Sequence, residues 1–299
     1  MRLVLTGGAG FIGSHLCDAL VATHEVTVVD NLVTGRRANL NAKAAWLELD
    51  IADAASIAKI AALKPEAILH LAAQMNVRHS VVDPALDCKT NVLGTVNLLQ
   101  AAHLGGAGHF IFASSGGVIY GEQESFPASE NHPLKPMSPY GVAKLCGEHY
   151  VDLLGQLYGL RTVCLRLGNV YGPRQNPHGE AGVVGIFLEQ MRRGAAPTIH
   201  GDGQQTRDYV DVRDVVRAFL LALESTTCGP FNIGTGIETS VSQIANLLSE
   251  LTNYDGTFMH GPAKAGEQRR SVLDYARATK LLGWSPQIAL RLGLLSALE

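Results

Sequence analysis

The sequence holds no run of about 18 apolar residues, no C-x-x-C pair, no internal repeat and no low-complexity stretch. The first absence excludes a membrane-spanning helix, and Met1 leads directly into an apolar strand pattern, so no signal peptide is expected. Five cysteines (Cys17, Cys88, Cys146, Cys164 and Cys228) are scattered without pairing, which reads as reduced thiols in a soluble, cytoplasmic protein. Histidines are not placed as metal ligands: His178 and His200 lack zinc spacing, and His70 and His79 read as core or loop residues, so no metal is expected. The net charge of −3 offers no bulk attraction to nucleic acid or an anionic membrane. Any bound anion must therefore be held by a few local cations. What remains is an ordinary globular composition, 46% hydrophobic and 17% charged, in 299 residues that can form one large α/β domain or two intimate ones.

Apolar runs of strand length occur at 2–6, 25–30, 45–50, 67–71, 109–114 and 161–167. Helical periodicity falls between them, near 11–22, 53–63, 83–104 and 139–158. Strand–helix alternation with strands apolar on both faces predicts a doubly wound parallel sheet. After residue 167 the texture changes to loops rich in Gly, Pro and Asn, which predicts a smaller α/β lobe over the C-terminal strand ends. The expected division is 1–167 with about 206–228 for the larger unit, and 168–205 with 229–299 for a discontinuous second one.

The segment LVLTGGAGFIGSHL is a strand, a glycine turn and a helix start, with Gly7 or Gly8, then Gly10 and Gly13, in dinucleotide-binding spacing. Such a turn needs residues without Cβ, and the helix N-terminus offers free N–H groups to a pyrophosphate. Phe11 and Ile12 begin that helix. Asp30, at the end of the second strand, is placed to accept hydrogen bonds from an adenosine ribose and to repel a 2′-phosphate. That favours NAD over NADP and makes this a Rossmann-type sheet; Arg36 and Arg37 read as solvated loop charges. Asp50-Ile51 ends the third strand, where an adenine edge would lie.

SPYGVAK places Tyr140 and Lys144 four residues apart, on one face of a helix that Ser138 and Pro139 are suited to start. A free tyrosine titrates near 10, so a tyrosine base near neutrality needs a shift of about 3 units, roughly 4 kcal/mol. A neighbouring ammonium and a positively charged nicotinamide are the available sources of that shift.

TGGAGFIG, Asp30-Asn31, Asp50-Ile51, HLAAQ (70–74), Asn91 in TNVLGT, SPYGVAK, LRLGNVYGPRQ, RDYVDVRD and FNIGTG occur in one order along the chain. Together they resemble the extended short-chain dehydrogenase/reductase family, and within it the UDP-glucose/UDP-galactose 4-epimerases and their nucleotide-sugar relatives. The resemblance implies a homodimer with bound NAD and a UDP-sugar substrate. It implies Tyr140 as the base at the sugar 4-hydroxyl, with hydride passing between C4 and the cofactor and returning to the other face of a 4-keto sugar. Leu71, Ala72, Ala73, Gln74 and Asn91 would border the cofactor, and Lys144 its nicotinamide ribose. Asn169 and Arg207 would meet the sugar or diphosphate. Lys264 stands where relatives carry Arg, Arg270 is a second candidate cation, and Glu267 would meet the nucleoside ribose. Arg174 is a candidate for a carboxylate if the sugar is UDP-glucuronate. Ser271 aligns with a position that limits the sugar 2-substituent, so its small side chain would admit an N-acetyl group. A related dehydratase or reductase, and a non-catalytic NAD-binding sensor, are the other readings.

The strand-five end, FASSGGVIYGE, departs from the family's pattern. Relatives carry Ser or Thr four residues before the Tyr-Gly; here that residue is Gly116, preceded by Ser114 and Ser115. Gly116-Gly117 also replaces the acid-bearing pair of sugar-nucleotide dehydratases, which favours epimerisation. Two accounts stand: Ser115 supplies the hydroxyl, or Tyr140 acts alone and the glycines make room for the turning sugar. Strand alternation, which aims Ser115 away from the site, favours the second.

Overall fold

Seven parallel strands form the centre of the computed structural model, which describes residues 1–176, 182–263 and 268–298. The strands in chain order are β1 (Arg2–Thr6), β2 (Glu25–Asp30), β3 (Ala45–Glu48), β4 (Ala67–His70), β5 (His109–Ser115), β6 (Arg161–Leu167), β7 (Asn169–Tyr171), β8 (Thr198–His200), β9 (Thr206–Asp211), β10 (Gly229–Ile233), β11 (Glu238–Ser240) and β12 (Met259–Gly261). The helices are α1 (Phe11–Leu20), α2 (Ala55–Ala61), α3 (Val77–Val82), α4 (Pro84–Cys88), α5 (Gly94–Gly105), α6 (Gly116–Ile119), α7 (Pro139–Tyr158), α8 (Val183–Arg192), α9 (Val212–Glu224), α10 (Val241–Thr252), α11 (Ala276–Leu282) and α12 (Leu290–Ser296). The main sheet runs β10-β6-β5-β4-β1-β2-β3, so the chain reverses direction of winding between β1 and β4. In open α/β sheets that point opens a ligand crevice at the carboxyl ends of the strands.

Successive strand residues feed two cores. Leu3, Leu5, Val28, Ile111 and Leu165 pack under α1 and α9, while Val4, Val29, Ile68, Phe110 and Phe112 pack under α2, α5 and α7. This period of two on both faces explains why the strands read as continuous apolar runs. Phe110 and Phe112 are fully buried; each such side chain contributes about 1.5–3 kcal/mol of transfer free energy.

The helix expected at 139–158 forms over that span: Ser138 Oγ accepts the Gly141 N–H at 3.1 Å, Pro139 opens the first turn, and Gly159 ends it at φ +68°. The helix expected at 83–104 is divided. Asp83 caps the short α4, a π-type turn spans Lys89–Leu93, and α5 follows. Thr95 Oγ1, in the first turn of α5, donates to the Asn91 carbonyl of that irregular turn at 2.6 Å, and such local widening recurs at functional sites.

Smaller sheets, β11-β9-β7 and β12-β8, with α8, α10 and α12 enclose a separate core of Tyr171, Phe187, Leu188, Ile244, Leu248 and Leu294. The expected division needs correction at two places. β10 pairs with β6 from Gly229↔Val163 to Ile233↔Leu167, so residues 229–233 belong to the main sheet. Phe231, Ile233, Ala278 and Trp284 bury against the main core because the β6 edge is otherwise unpaired. β9 joins the smaller three-stranded sheet, while α9 after it packs against α1. Among the described residues no helix is long and apolar enough to cross a membrane.

Candidate active site

A cleft of about 540 Å³ lies along the carboxyl ends of the main-sheet strands, with the smaller lobe supplying its far wall. Its first part is the β1–α1 turn. Gly7 has φ +73°, and a Cβ there would come within 2.6 Å of the Ala72 nitrogen. A Cβ on Gly13 would lie 2.1 Å from the Gly7 carbonyl oxygen, so the helix can approach the turn only with glycine here. Gly7, Gly10, Phe11, Ile12 and Gly13 all line the cleft, a cradle of bare backbone at a helix N-terminus that fits a pyrophosphate.

Asp30 and Asn31 lie where β2 ends, also on the cleft wall. Asp30 accepts the Ala9 N–H at 3.0 Å and the Leu32 N–H at 2.9 Å, one on each carboxylate oxygen. Burial pushes its carboxyl up and these backbone donors pull it back. The remaining acceptor capacity suits ribose hydroxyls. Arg36 donates to Asn176 at 3.1 Å, and neither it nor Arg37 lines the cleft among the described residues. The chemistry of this end therefore fits NAD.

Leu49, Ile51, Leu71, Ala72 and Ala73 form the apolar side of the same wall. Three expected contacts stand behind it instead. Asp50 turns back to accept the Ala52 N–H at 2.8 Å. Gln74 and Asn91 are held together: Asn91 Oδ1 accepts the Gln74 N–H at 2.9 Å and Asn91 Nδ2 donates to the Gln74 carbonyl at 2.8 Å. They shape the turn after β4 rather than line the cleft. Behind it, His70 bridges Thr6 Oγ1 at 2.9 Å and Thr95 Oγ1 at 3.0 Å. Burial and then the Lys144 charge hold the His70 ring far below its usual range, so it stays neutral as expected for a core residue.

Tyr140 and Lys144 reach the cleft from the first turns of α7. The Tyr140 N–H is held by Ser80 Oγ of α3 at 3.1 Å. Lys144 Nζ donates to the Ala113 carbonyl at 2.9 Å and lies 5.9 Å from the Tyr140 ring centroid. Burial lowers the Lys144 ammonium to about 8, against the opposing charges of Asp87 and Glu148. Burial, then Asp87, pushes the Tyr140 phenol up. The protein alone thus keeps this phenol protonated, and lowering it requires positive charge brought in with a ligand.

The strand-five hydroxyls divide. Both border the cleft, but Ser114 is buried and its hydroxyl donates to Glu148 Oε1 at 2.5 Å, so it serves the Glu148–Arg166 ion pair. Ser115 lies on the cleft wall and its hydroxyl makes no hydrogen bond among the described residues, which corrects the expectation that it aims away. The strand ends at Ser115 and α6 begins at Gly116, so simple alternation no longer governs the exit. Gly116 does not line the cleft: a Cβ there would come 2.6 Å from a Leu273 methyl, so Leu273 fills that space. The open glycine is Gly117, whose Cβ position would lie 3.5 Å from Asn169 Oδ1 and 3.8 Å from Ser115 Oγ.

Of the expected substrate contacts, Asn169 and Arg207 line the cleft. Arg174 instead pairs with Asp18 at 2.8 Å, outside the cleft, and is committed to α1. Arg270 binds both Glu238 oxygens, at 2.8 and 2.6 Å, and lies 3.6 Å over the Phe126 ring, so it too is occupied. Ser271 is buried and does not face the cleft. Lys264, Glu267 and His178 lie outside the described residues. Met75, Arg78, Val118, Met137, Tyr209 and Gln268 line the cleft without having been marked by any spacing in the sequence. Among the described residues no cluster of His, Cys, Asp or Glu is placed to hold a metal.

Residues 3–234 match the NAD dependent epimerase/dehydratase family. The chain belongs to this family. It is 44% identical over 306 residues to a UDP-glucose 4-epimerase of Mycolicibacterium smegmatis, covering 100% of this chain and 98% of the relative. Among solved structures it is similar to a Thermotoga maritima UDP-glucose 4-epimerase with UDP-glucose, at TM-score 0.98 and 48% identity over 100% of this chain and 97% of the other. It is also similar to a Thermus thermophilus UDP-glucose 4-epimerase in complex with NAD, at TM-score 0.95 and 41% identity over 100% and 98%. Membership accounts for the glycine turn, the Asp30 site and the Tyr140–Lys144 pair occurring on one cleft.

Proposed function

We propose that this protein is an NAD-dependent UDP-sugar 4-epimerase that interconverts UDP-glucose and UDP-galactose. The observation that carries the reading is the meeting of Tyr140, Lys144 and Ser115 on the wall of the same cleft as the Gly7–Gly13 cradle and Asp30. When bound, NAD supplies the acceptor and donor of hydride at the sugar C4. The β1–α1 turn would hold its pyrophosphate, Asp30 the adenosine ribose, and Leu49, Ile51 and Leu71 the apolar ring surfaces. Tyr140 takes the proton of the 4-hydroxyl and later returns it, and Lys144 supplies the adjacent positive charge. Ser115 shares that proton as the hydroxyl partner, since Ser114 is committed to Glu148 and Gly116 is closed by Leu273. Asn169 and Arg207 face the sugar diphosphate, and the space over Gly117 gives the flat keto sugar room to turn.

Elimination needs an acid on the sugar side of the strand-five exit. Gly117 supplies none, so the reading favours an epimerase over a dehydratase. A UDP-glucuronate enzyme is disfavoured by the Asp18 partner of Arg174. Exposed Leu86, Leu93, Val142, Leu153 and Leu157 on α4, the π turn and α7 support a homodimer through this face, which light scattering tests. The unpaired thiols support a reducing, cytoplasmic setting. Incubation with UDP-glucose, UDP-GlcNAc and UDP-glucuronate in separate reactions tests the function: the expected product is UDP-galactose, and no epimer from any of them refutes it.

A further inference from the structure

Asp87 is a carboxylate on α4 that is 1% exposed and makes no contact with the cleft. Its Oδ1 accepts Gln74 Nε2 and Asn91 Nδ2, both at 2.9 Å. Those two residues are also tied to each other through both backbone groups of Gln74. Gln74 then passes the constraint on to Asn76, which caps α3. The turn so fixed carries Leu71, Ala72, Ala73 and Met75 on the cleft wall. α4 packs against α7, the helix that presents Tyr140 and Lys144.

We propose that Asp87 is a positioning residue for the epimerase site: it locks the turn after β4 through Gln74 and Asn91, and its charge balances the buried Lys144. The proposal rests on the epimerase reading above. The charged and titratable groups that act on it or that it acts on are His79 on α3 and Tyr140 and Lys144 on α7; Glu148 on α7 and His70 at the end of β4 interact with Lys144. Among these, Asp87 and Glu148 are the negative charges that oppose the loss of the Lys144 proton on burial. The same Asp87 charge works against ionisation of Tyr140. Its removal therefore makes Tyr140 easier to ionise and Lys144 easier to neutralise. Both changes carry the same sign.

Asp87→Asn tests this in the NAD-loaded enzyme, because an amide oxygen can still accept from Gln74 and Asn91. Both limbs of the kcat–pH profile are expected to move to lower pH, by about 1 unit, the lower end for loss of a neighbouring charge. The near-ultraviolet absorbance of the Tyr140 phenolate, taken as the difference from Tyr140→Phe, is expected to titrate lower by the same amount. Asp87→Ala, which also releases the turn, is expected to weaken NAD binding about tenfold, the equivalent of one lost hydrogen-bonding group. A folded Asp87→Asn protein whose limbs and phenolate titration coincide with the parent overturns the proposal. If the parent epimerises no UDP-sugar, the functional reading fails, and the phenolate titration still decides the role of Asp87.

Discussion

Replacing Glu148 by alanine removes one half of a buried ion pair behind the catalytic strand. Arg166 is 4% exposed and Glu148 7%, with Arg166 Nη2 and Glu148 Oε2 2.7 Å apart and Arg166 Nε reaching both oxygens at 3.0 and 3.2 Å. Glu148 also holds the Ser114 hydroxyl. After the change Arg166 keeps the Tyr120 hydroxyl at 3.0 Å and the Glu130 carbonyl at 3.1 Å, but no counter-charge. Arg166 stays charged after the change, because a guanidinium is basic enough to keep its proton even when buried. Leaving one buried ion unpaired costs about 3–5 kcal/mol. The two surviving bonds place this case near the lower end, about 3 kcal/mol. For 299 residues the unfolding entropy is about 0.6 kcal/mol/K, so Tm falls by about 5 °C. Differential scanning calorimetry with the NAD content matched reads the change. Glu148→Leu combined with Arg166→Met, which leaves no lone charge, should recover most of the loss. A decrease of less than about 1 °C for Glu148→Ala would show that the pair is not the clamp between α7, β5 and β6 described here.

Gly13→Ala sets a Cβ 2.1 Å from the Gly7 carbonyl; since backbone must yield, NAD affinity should fall at least about tenfold by calorimetric titration, and an unchanged Kd contradicts the cradle. Ser115→Ala should reduce kcat about 100-fold with NAD retained, whereas Ser114→Ala should mainly lower Tm; equal kcat for Ser115→Ala restores the account in which Tyr140 acts alone. His109, lowered to about 4 chiefly by burial and then by Arg161, adds a pH dependence of stability. Its folded value lies below the unfolded one, near 6.5, so its neutral form favours folding fully above 6.5 and that contribution is lost as pH falls through 4. The loss amounts to about 3 kcal/mol. Urea titrations from pH 7 to 4 should show a shallower decline for His109→Gln, and parallel curves count against it.

The parts legible from the sequence are those where local chain chemistry and function coincide. Glycines at 7, 10 and 13, an acid closing β2, and a capped helix with Tyr140 and Lys144 one turn apart each require particular residues at particular spacings. Tertiary pairing decided the rest. The Arg174 and Arg270 side chains are long enough to serve several partners, and Asp18 and Glu238, distant in sequence, claimed them. FNIGTG was legible only as a motif of the family, and its place in the main sheet follows from β6 needing an edge partner 66 residues away, as in Gly229↔Val163. The exit from β5 was read by alternation, which fails where α6 begins at Gly116 and Leu273 closes the space over that glycine. Asp87 carries no motif of its own, and only the folded turn brings it to Gln74 and Asn91.

The central claim is tested most directly by following UDP-glucose to UDP-galactose with the purified protein and added NAD, beside Tyr140→Phe. The account predicts that either sugar nucleotide is converted to the same equilibrium mixture without net consumption of NAD. It also predicts that Tyr140→Phe loses about 100-fold or more of the rate while still binding the cofactor. Accumulation of a 6-deoxy-4-keto product, stoichiometric reduction of NAD, or full activity in Tyr140→Phe would contradict it.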